Sequence, residues 1–297
     1  MTAVTSSPEH LTPAPIPRAD RLRATAWMLG AQVGFAAMTV LARHRAPNAA
    51  WQELAVFRFL GGLMVAALIA FLRGVSLRPK DKRLLFARAG FGTLSALGTF
   101  YTIDSPAISL GDASTLFSTS PFFVAVLAPF VLKERFRPRV GLALAIAFCG
   151  VAVVAKPTFD SAPNLVAAAT GSAFSAACAM MALRLASHGE APESIAFFFH
   201  LAGLVVLTAL AIPGWSSPSF ATMLSLTLAG VCGGVAQLMM TKAYTLDLAA
   251  RVSVLGYAGL LFTRLAGAIV FGEPFGLREA LGTMTILAAG VLLTRAP

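Results

Sequence analysis

The chain has 297 residues, 57% of them hydrophobic and 12% charged. A soluble domain carries about 25% charged residues. Half that fraction, with apolar runs of membrane length recurring along the chain, excludes a water-soluble protein and indicates a polytopic membrane protein. The net charge of +10 is read as basic residues collected in cytoplasmic loops, not as a nucleic-acid surface.

Residues 1–20, MTAVTSSPEHLTPAPIPRAD, are rich in Pro, Ser and Thr and hold no apolar run. They read as a disordered cytoplasmic tail over 1–23, not as a cleavable signal peptide. Ten spans are then predicted, near 24–42, 51–72, 84–104, 112–132, 139–155, 163–184, 193–213, 220–243, 249–271 and 277–294. Runs of about 20 uniformly apolar residues fit helices, whereas barrel strands are about 10 residues long and alternate. The loops are short, so each helix is expected to pack beside its sequence neighbour. With the N-terminus inside, 16 Lys and Arg fall on the cytoplasmic side, among them the elbow Lys133, Arg135, Arg137 and Arg139, and Arg295 at the end. Four fall outside: Arg43, Arg45, Lys156 and Arg278. Both termini are therefore expected to be cytoplasmic.

Span one carries Gln32, a candidate for the wall of a central cavity, and Trp27, which suits an interfacial anchor. Gly30-x-x-x-Gly34 and Gly230-x-x-x-Gly234 allow close helix approach, and serve contacts between the two halves or a homodimer face equally well. Arg58 in span two reads as a structural partner of Glu53 or of neighbouring carbonyl groups. Arg88, Gly92, Ser95, Thr99 and Thr102 share one face of span three. Arg88 is expected to snorkel to the cytoplasmic interface. Ser95 and Thr99 either line a cavity or bond to backbone carbonyls at a tight helix contact. In span four, Pro121 and Pro129 remove backbone donors and can expose carbonyl groups. His200, alone in span seven, reads as a packing residue. Gln237, Thr241 and Tyr244 share a face of span eight, with Lys242 and Asp247 at its boundary as a gate or an interfacial pair. In span nine, Arg264 is placed to grip an anion in fork geometry, with Ser253 and Tyr257 on its face. Cys149, Cys178 and Cys232 lie within apolar runs and read as small core residues, with no metal-ligand or disulfide spacing.

The chain repeats itself. An offset of 139 carries Ser114 to Ser253, Ser118 to Tyr257 and Glu134 to Glu273, and one of 140 carries Gly150-Val151 to Gly290-Val291. Five spans per half is an odd number, so the second copy enters the membrane inverted. Glu134 and Glu273 then lie on opposite sides, each opening the next helix, where a carboxylate suits the helix dipole.

Ala113-Ser114, Ser118-Thr119-Ser120-Pro121, Lys133-Glu134-Arg135 and Gly150-Val151 in the first copy resemble the EamA domain of the drug/metabolite transporter superfamily. So do Ser253, Gly272-Glu273-Pro274 and Gly290-Val291 in the second. The first copy looks most like a branch whose bacterial members are often labelled S-adenosylmethionine permeases. The resemblance implies an all-α membrane protein of ten transmembrane helices in two inverted five-helix repeats, 24–155 and 163–294. It implies a multi-pass protein of the bacterial inner membrane and a secondary transporter working by alternating access. Span one lacks the embedded carboxylate of the small multidrug exporters, and the charges inside spans are basic. Anionic or zwitterionic metabolites, amino-acid- or nucleoside-like, are the expected substrates. The candidate substrate-binding set is Arg264, Tyr257, Ser253, Ser114, Ser118, Ser95, Thr99, Gln237 and Gln32. No ATP-binding loop or catalytic constellation is present, so neither a cofactor nor an enzymatic activity is expected. The expected partners are a small-molecule substrate and membrane lipid. The alternative is a non-transporting membrane partner or regulator, in which the polar strips pack together without a cavity.

Overall fold

The computed structural model describes residues 16–45, 51–135, 137–158, 160–215 and 218–294, and these hold helices and no strand. The first fifteen residues of the tail, Phe136 of the elbow and Arg295 lie outside them. The helices are α1 (Arg18–Arg45), α2 (Trp51–Leu72), α3 (Lys82–Asp104), α4 (Leu110–Phe117), α5 (Ser120–Val131) and α6 (Pro138–Ala155) in the first half. The second half holds α7 (Pro163–Ala186), α8 (Pro192–Ala211), α9 (Phe220–Leu246), α10 (Ala249–Leu255), α11 (Ala258–Phe271) and α12 (Leu277–Thr294). The sequence marks several starts. Asp81, Ser109 and Ser219 cap α3, α4 and α9 with side-chain oxygens, satisfying amides that a helix leaves unpaired. Pro138, Pro163 and Pro192 open α6, α7 and α8, where a missing N–H costs nothing.

Among the described residues, eight stretches are long and apolar enough to cross a membrane. Two of them, Gly111–Val131 and Ala249–Phe271, are each built from two helices, α4 with α5 and α10 with α11. The remaining helices, α3 and α12, are 23 and 18 residues long but carry more polar side chains. Phe71, Phe86, Phe130 and Ile269 point outward, each more than 80% exposed.

The helices close into a ring. In order of contact it runs α1, α9, α2, α8, α3 and α7, then through α4 and α5 to α10 and α11 and back to α1. The α6–α12 pair packs together beside the α4 and α10 segments. Exchanging the halves maps the pattern onto itself. The α1–α9 contact maps to α7–α3, α2–α9 to α8–α3, and α1–α11 to α7–α5, while α2–α8 and α6–α12 map to themselves. This is the pseudo-two-fold expected of inverted repeats.

One expectation fails here. Sequence neighbours do not pack side by side: α2 and α3 barely touch, and the large contacts join one half to the other. The glycines explain why. In an apolar solvent, helices gain little by hiding more apolar surface, so close van der Waals approach decides the partner. A methyl at Gly230 would collide with the Phe57 carbonyl of α2, and one at Gly234 with Gly62. Methyls at Gly30 and Gly34 would strike Met239 and Ala236 of α9. Both glycine pairs are thus used inside the molecule, between halves. A smaller correction concerns Cys149, which is exposed on the outer surface of α6 and not a core residue.

Candidate functional site

Two helices break, at matching places. Between α4 and α5, Ser118 N–H bonds to Ser114 (3.1 Å), but Thr119 N–H reaches Leu116 (3.0 Å) and Phe122 N–H reaches Thr119 (2.9 Å). These three-residue spacings tighten the turn. Pro121 prepares it by lacking an N–H, while Pro129 stays within α5. Between α10 and α11, Gly256 N–H bonds to Ser253 (3.1 Å) and Tyr257 N–H to Val254 (3.2 Å). No proline marks this second break.

The breaks touch. The Tyr257 hydroxyl donates to the Ser118 carbonyl at 2.6 Å. Tyr257 is the repeat equivalent of Ser118, so the contact lies where the two copies meet. Bond switching at the turn leaves that carbonyl without a helical partner, and Tyr257 supplies one.

Both broken spans also end alike. Lys133 and Gly272, 139 positions apart, have φ of 55° and 64°. Glu134 N–H bonds back to Ala128 and Glu273 N–H to Gly267, each at 3.3 Å. Each bond reaches back six positions across a left-handed residue, one position further than a Schellman ending, so the two spans share the same wide turn. Each delivers a glutamate to one end of the ring.

At the basic end, Glu134 accepts from Ala249 N–H at the start of α10, at 3.1 and 3.2 Å. It also pairs with Arg184 at 3.6 Å. Arg184 donates to the last carbonyls of α9, Tyr244 at 2.9 Å and Thr245 at 3.1 Å. Burial pushes the Glu134 carboxyl above its ordinary value, although Ala249 N–H and Arg184 oppose the shift. Asp247 pairs with Arg251 at 3.1 Å, both buried, not with Lys242. Burial raises Asp247 as well, against the pull of Leu248 N–H and Arg251. At the other end Glu273 pairs with Arg43. Arg43 lies 141 positions before Arg184, so the two ion pairs are repeat equivalents.

The sequence profile of the EamA-like transporter family matches this chain twice, at residues 22–156 and 165–295. The chain belongs to that family. A pseudopaline exporter of Pseudomonas aeruginosa is 31% identical over 268 residues, covering 88% of this chain and 92% of the relative. A riboflavin transporter of Rhizobium johnstonii is 27% identical over 276 residues, covering 91% and 90%. A crystal structure titled only as a protein shares the fold, with a TM-score of 0.79 and 18% identity over 91% of this chain and 95% of that one. This EamA-family chain is therefore a multi-pass membrane protein of a family of transporters, not enzymes, and its bacterial relatives fit the inner membrane.

The transporter brings some predicted residues together. Ser118 and Tyr257 meet directly. Ser95 and Thr99 on α3 form a hydroxyl clasp with Ser172 of α7, at 3.4 and 2.9 Å, and Ser172 donates to the Ser95 carbonyl at 2.7 Å. Gln32 is buried on α1, touching Met28 at 3.7 Å, and its side-chain oxygen fills the space a methyl at Gly259 of α11 would need. Ser114 is half-buried and its carbonyl takes the Ser118 hydroxyl at 2.7 Å. Ser253 is buried and bonds to Ala250 at 2.8 Å. Gln237 is buried with its amide nitrogen unpaired. Arg264 is half-buried and makes no hydrogen bond or ion pair with the other eight. The break separates its helix from that of Ser253, and its electrostatic neighbour is Glu279 in the first turn of α12.

Two arginines differ from expectation. Arg58 does not pair with Glu53; its guanidinium lies 5.9 Å from the Phe59 ring. Arg88 does not snorkel. It is 2% exposed and lies 4.0 Å from the Phe199 ring centroid. His200 is a packing residue as expected, bonded to Ala196 at 2.8 Å beside Phe59 and Phe199. Ser172 carried no signal in its small-residue helix, and Arg184 counted only toward topology.

Proposed function

We propose that this transporter moves small organic metabolites, anionic or zwitterionic and amino-acid- or nucleoside-like, by alternating access about a central site between the repeats. In this reading α3 and α12 complete ten spans, both termini are cytoplasmic, and the basic end of the ring faces the cytoplasm. The units are a tail at 1–23 and repeats at 24–155 and 163–294. The partners are the substrate and the lipid around the exposed apolar surface.

The observation that carries it is the contact of the two helix breaks through Tyr257 and Ser118. Irregular backbone at membrane depth is tolerated where protein buries it or a cavity is lined by it. Discontinuous helices at a repeat interface are where secondary transporters hold their substrates. The ends also differ. At the basic end α5 packs on α10, whereas the equivalent α4 and α11 make no comparable contact among the described residues. That asymmetry supports an outward-facing state with the cytoplasmic end closed. The named relatives carry pseudopaline and riboflavin, which supports the small-metabolite class.

Purified protein in liposomes is expected to move at least one metabolite from a panel of amino acids, nucleosides and organic acids. Absence of any flux from that panel would overturn the reading. The clasp of Ser95, Thr99 and Ser172 favours the second reading, a regulator with packed polar strips, which predicts the same fold and no flux.

A further inference from the structure

Arg88 is held where a guanidinium is costly. It lies in α3 among apolar residues, and its Nε and Nη1 have no hydrogen-bond partner. No carboxylate pairs with it among the described residues. An unpaired buried charge is destabilising, and the cation–π contact with Phe199 offsets only part of that.

Its direction is equally specific. Helical side chains lean toward the N-terminus of their helix, which for α3 is the basic end. Arg88 bends the other way: a methyl at Gly92, one turn further in, would collide with Nη1 and with the Phe199 ring. Gly92 lies ten residues into α3, about 15 Å along its axis, half of an apolar core of about 30 Å. Gln237 lies nine residues before the end of the antiparallel α9, about 14 Å from the same end. Its Nε2 is buried and unpaired. Arg88 interacts electrostatically with Tyr244, on the same face of α9 as Gln237. The ring thus holds two sets of unpaired donors at one depth and, among its described residues, no acceptor bonded to either.

We propose that Arg88 and Gln237 form the recognition point for the carboxylate of the transported metabolite. A guanidinium edge and an amide offer parallel N–H donors to two carboxylate oxygens. One buried cation balances one negative charge, so a carboxylate suits the site better than a phosphate monoester, which carries about −1.5 to −2. Phe199 backs the guanidinium plane and excludes water. This deepens the transport reading and rests on it.

The test uses full-length protein in detergent and in liposomes. The probes are L-amino acids, 2-hydroxy acids and benzoate, each beside its primary amide and a phosphate ester of similar size. The expected result is that at least one carboxylate binds the wild type and its amide does not. Arg88→Gln is expected to lose at least tenfold in affinity for it, and Arg88→Lys less. Arg88→Met, which removes an uncompensated charge, is expected to raise the Tm of ligand-free protein by about 2–4 °C. Unchanged carboxylate binding by Arg88→Gln overturns the inference, as does binding of phosphate esters alone, or of no probe. A lowered Tm in Arg88→Met assigns Arg88 to the framework and overturns it too. If the wild type carries metabolites and Arg88→Gln carries the same carboxylates equally, the inference fails and transport stands. If the wild type carries nothing, the transport reading itself fails.

Discussion

The two ends of the ring are built from the same parts and finished differently. Each has a left-handed helix ending, a glutamate and an arginine from the span one repeat away. At the basic end the Arg184–Glu134 side chains are 16% and 11% exposed, and Glu134 also holds Ala249 N–H. At the other end the Arg43–Glu273 side chains are 59% and 27% exposed. The basic end gains further ties across the halves: Arg73 to Glu193 at 2.7 Å, and the Lys80 and Asp81 amides to Glu190 at 2.5 and 2.9 Å. At the opposite end Asp112 instead secures the linker between the halves, accepting from Thr158 and Ser161. Near-symmetric parts with unequal burial suit the proposed alternating access, in which each end would adopt the other's finish as the repeats rock.

The largest effect should come from Glu134→Ala, which strips a buried ion pair and the amide bond at α10 together. Losing one partner of such a pair costs about 2–4 kcal/mol after allowance for its partial exposure. In a background without native cysteines, maleimide labelling of an Ala125→Cys variant at the basic end should rise more than tenfold when Glu134→Ala is added. Tyr257→Phe removes the bond between the breaks and leaves the Ser118 carbonyl unpaired. A loss of about 1–2 kcal/mol is expected in thermal unfolding. The left-handed positions give opposite signs. Gly272→Ala should cost about 1 kcal/mol, whereas Lys133→Gly should be neutral or stabilising by up to about 1 kcal/mol. Glu273→Gln, at the exposed pair, should cost less than about 1 kcal/mol. Equal effects of Glu134→Ala and Glu273→Gln would erase the distinction between the ends.

Proton concentration should act mildly on the basic end, through its two largely buried carboxyls. Glu134 faces Ala249 N–H, Arg184, Asp247 and Tyr244; Asp247 faces Leu248 N–H, Arg251, Arg21 and Arg184. Both carboxyls sit above their ordinary values, so the closed end binds protons more tightly than an open, solvated one. Its extra stability is full below the ordinary carboxylate range and is lost as pH rises through the raised values. Spin labels at Lys133→Cys and Lys242→Cys should report a more closed population at pH 5 than at pH 7.5.

Much of this was legible in the chain itself. Apolar runs located the helices, because membrane length and uniform hydropathy are local properties. The 139-residue offset placed Glu134 and Glu273, Ser118 and Tyr257 in register. Pro121 marked one break, whereas span nine, which has no proline at the matching place, read as a single continuous helix. Which residues meet was not legible. In helices apolar all round, no face is marked for a partner, so the neighbours of each helix followed from where glycines let backbones approach. Arg88 reads as a snorkelling residue until Gly92 and Phe199, from its own helix and from α8, give its guanidinium a place further in. Arg264 lost its alignment with Ser253 because Gly256 and Tyr257 interrupt the helix between them. Periodicity fixed what each residue is and which copy it belongs to; close packing across the two copies decided what it touches.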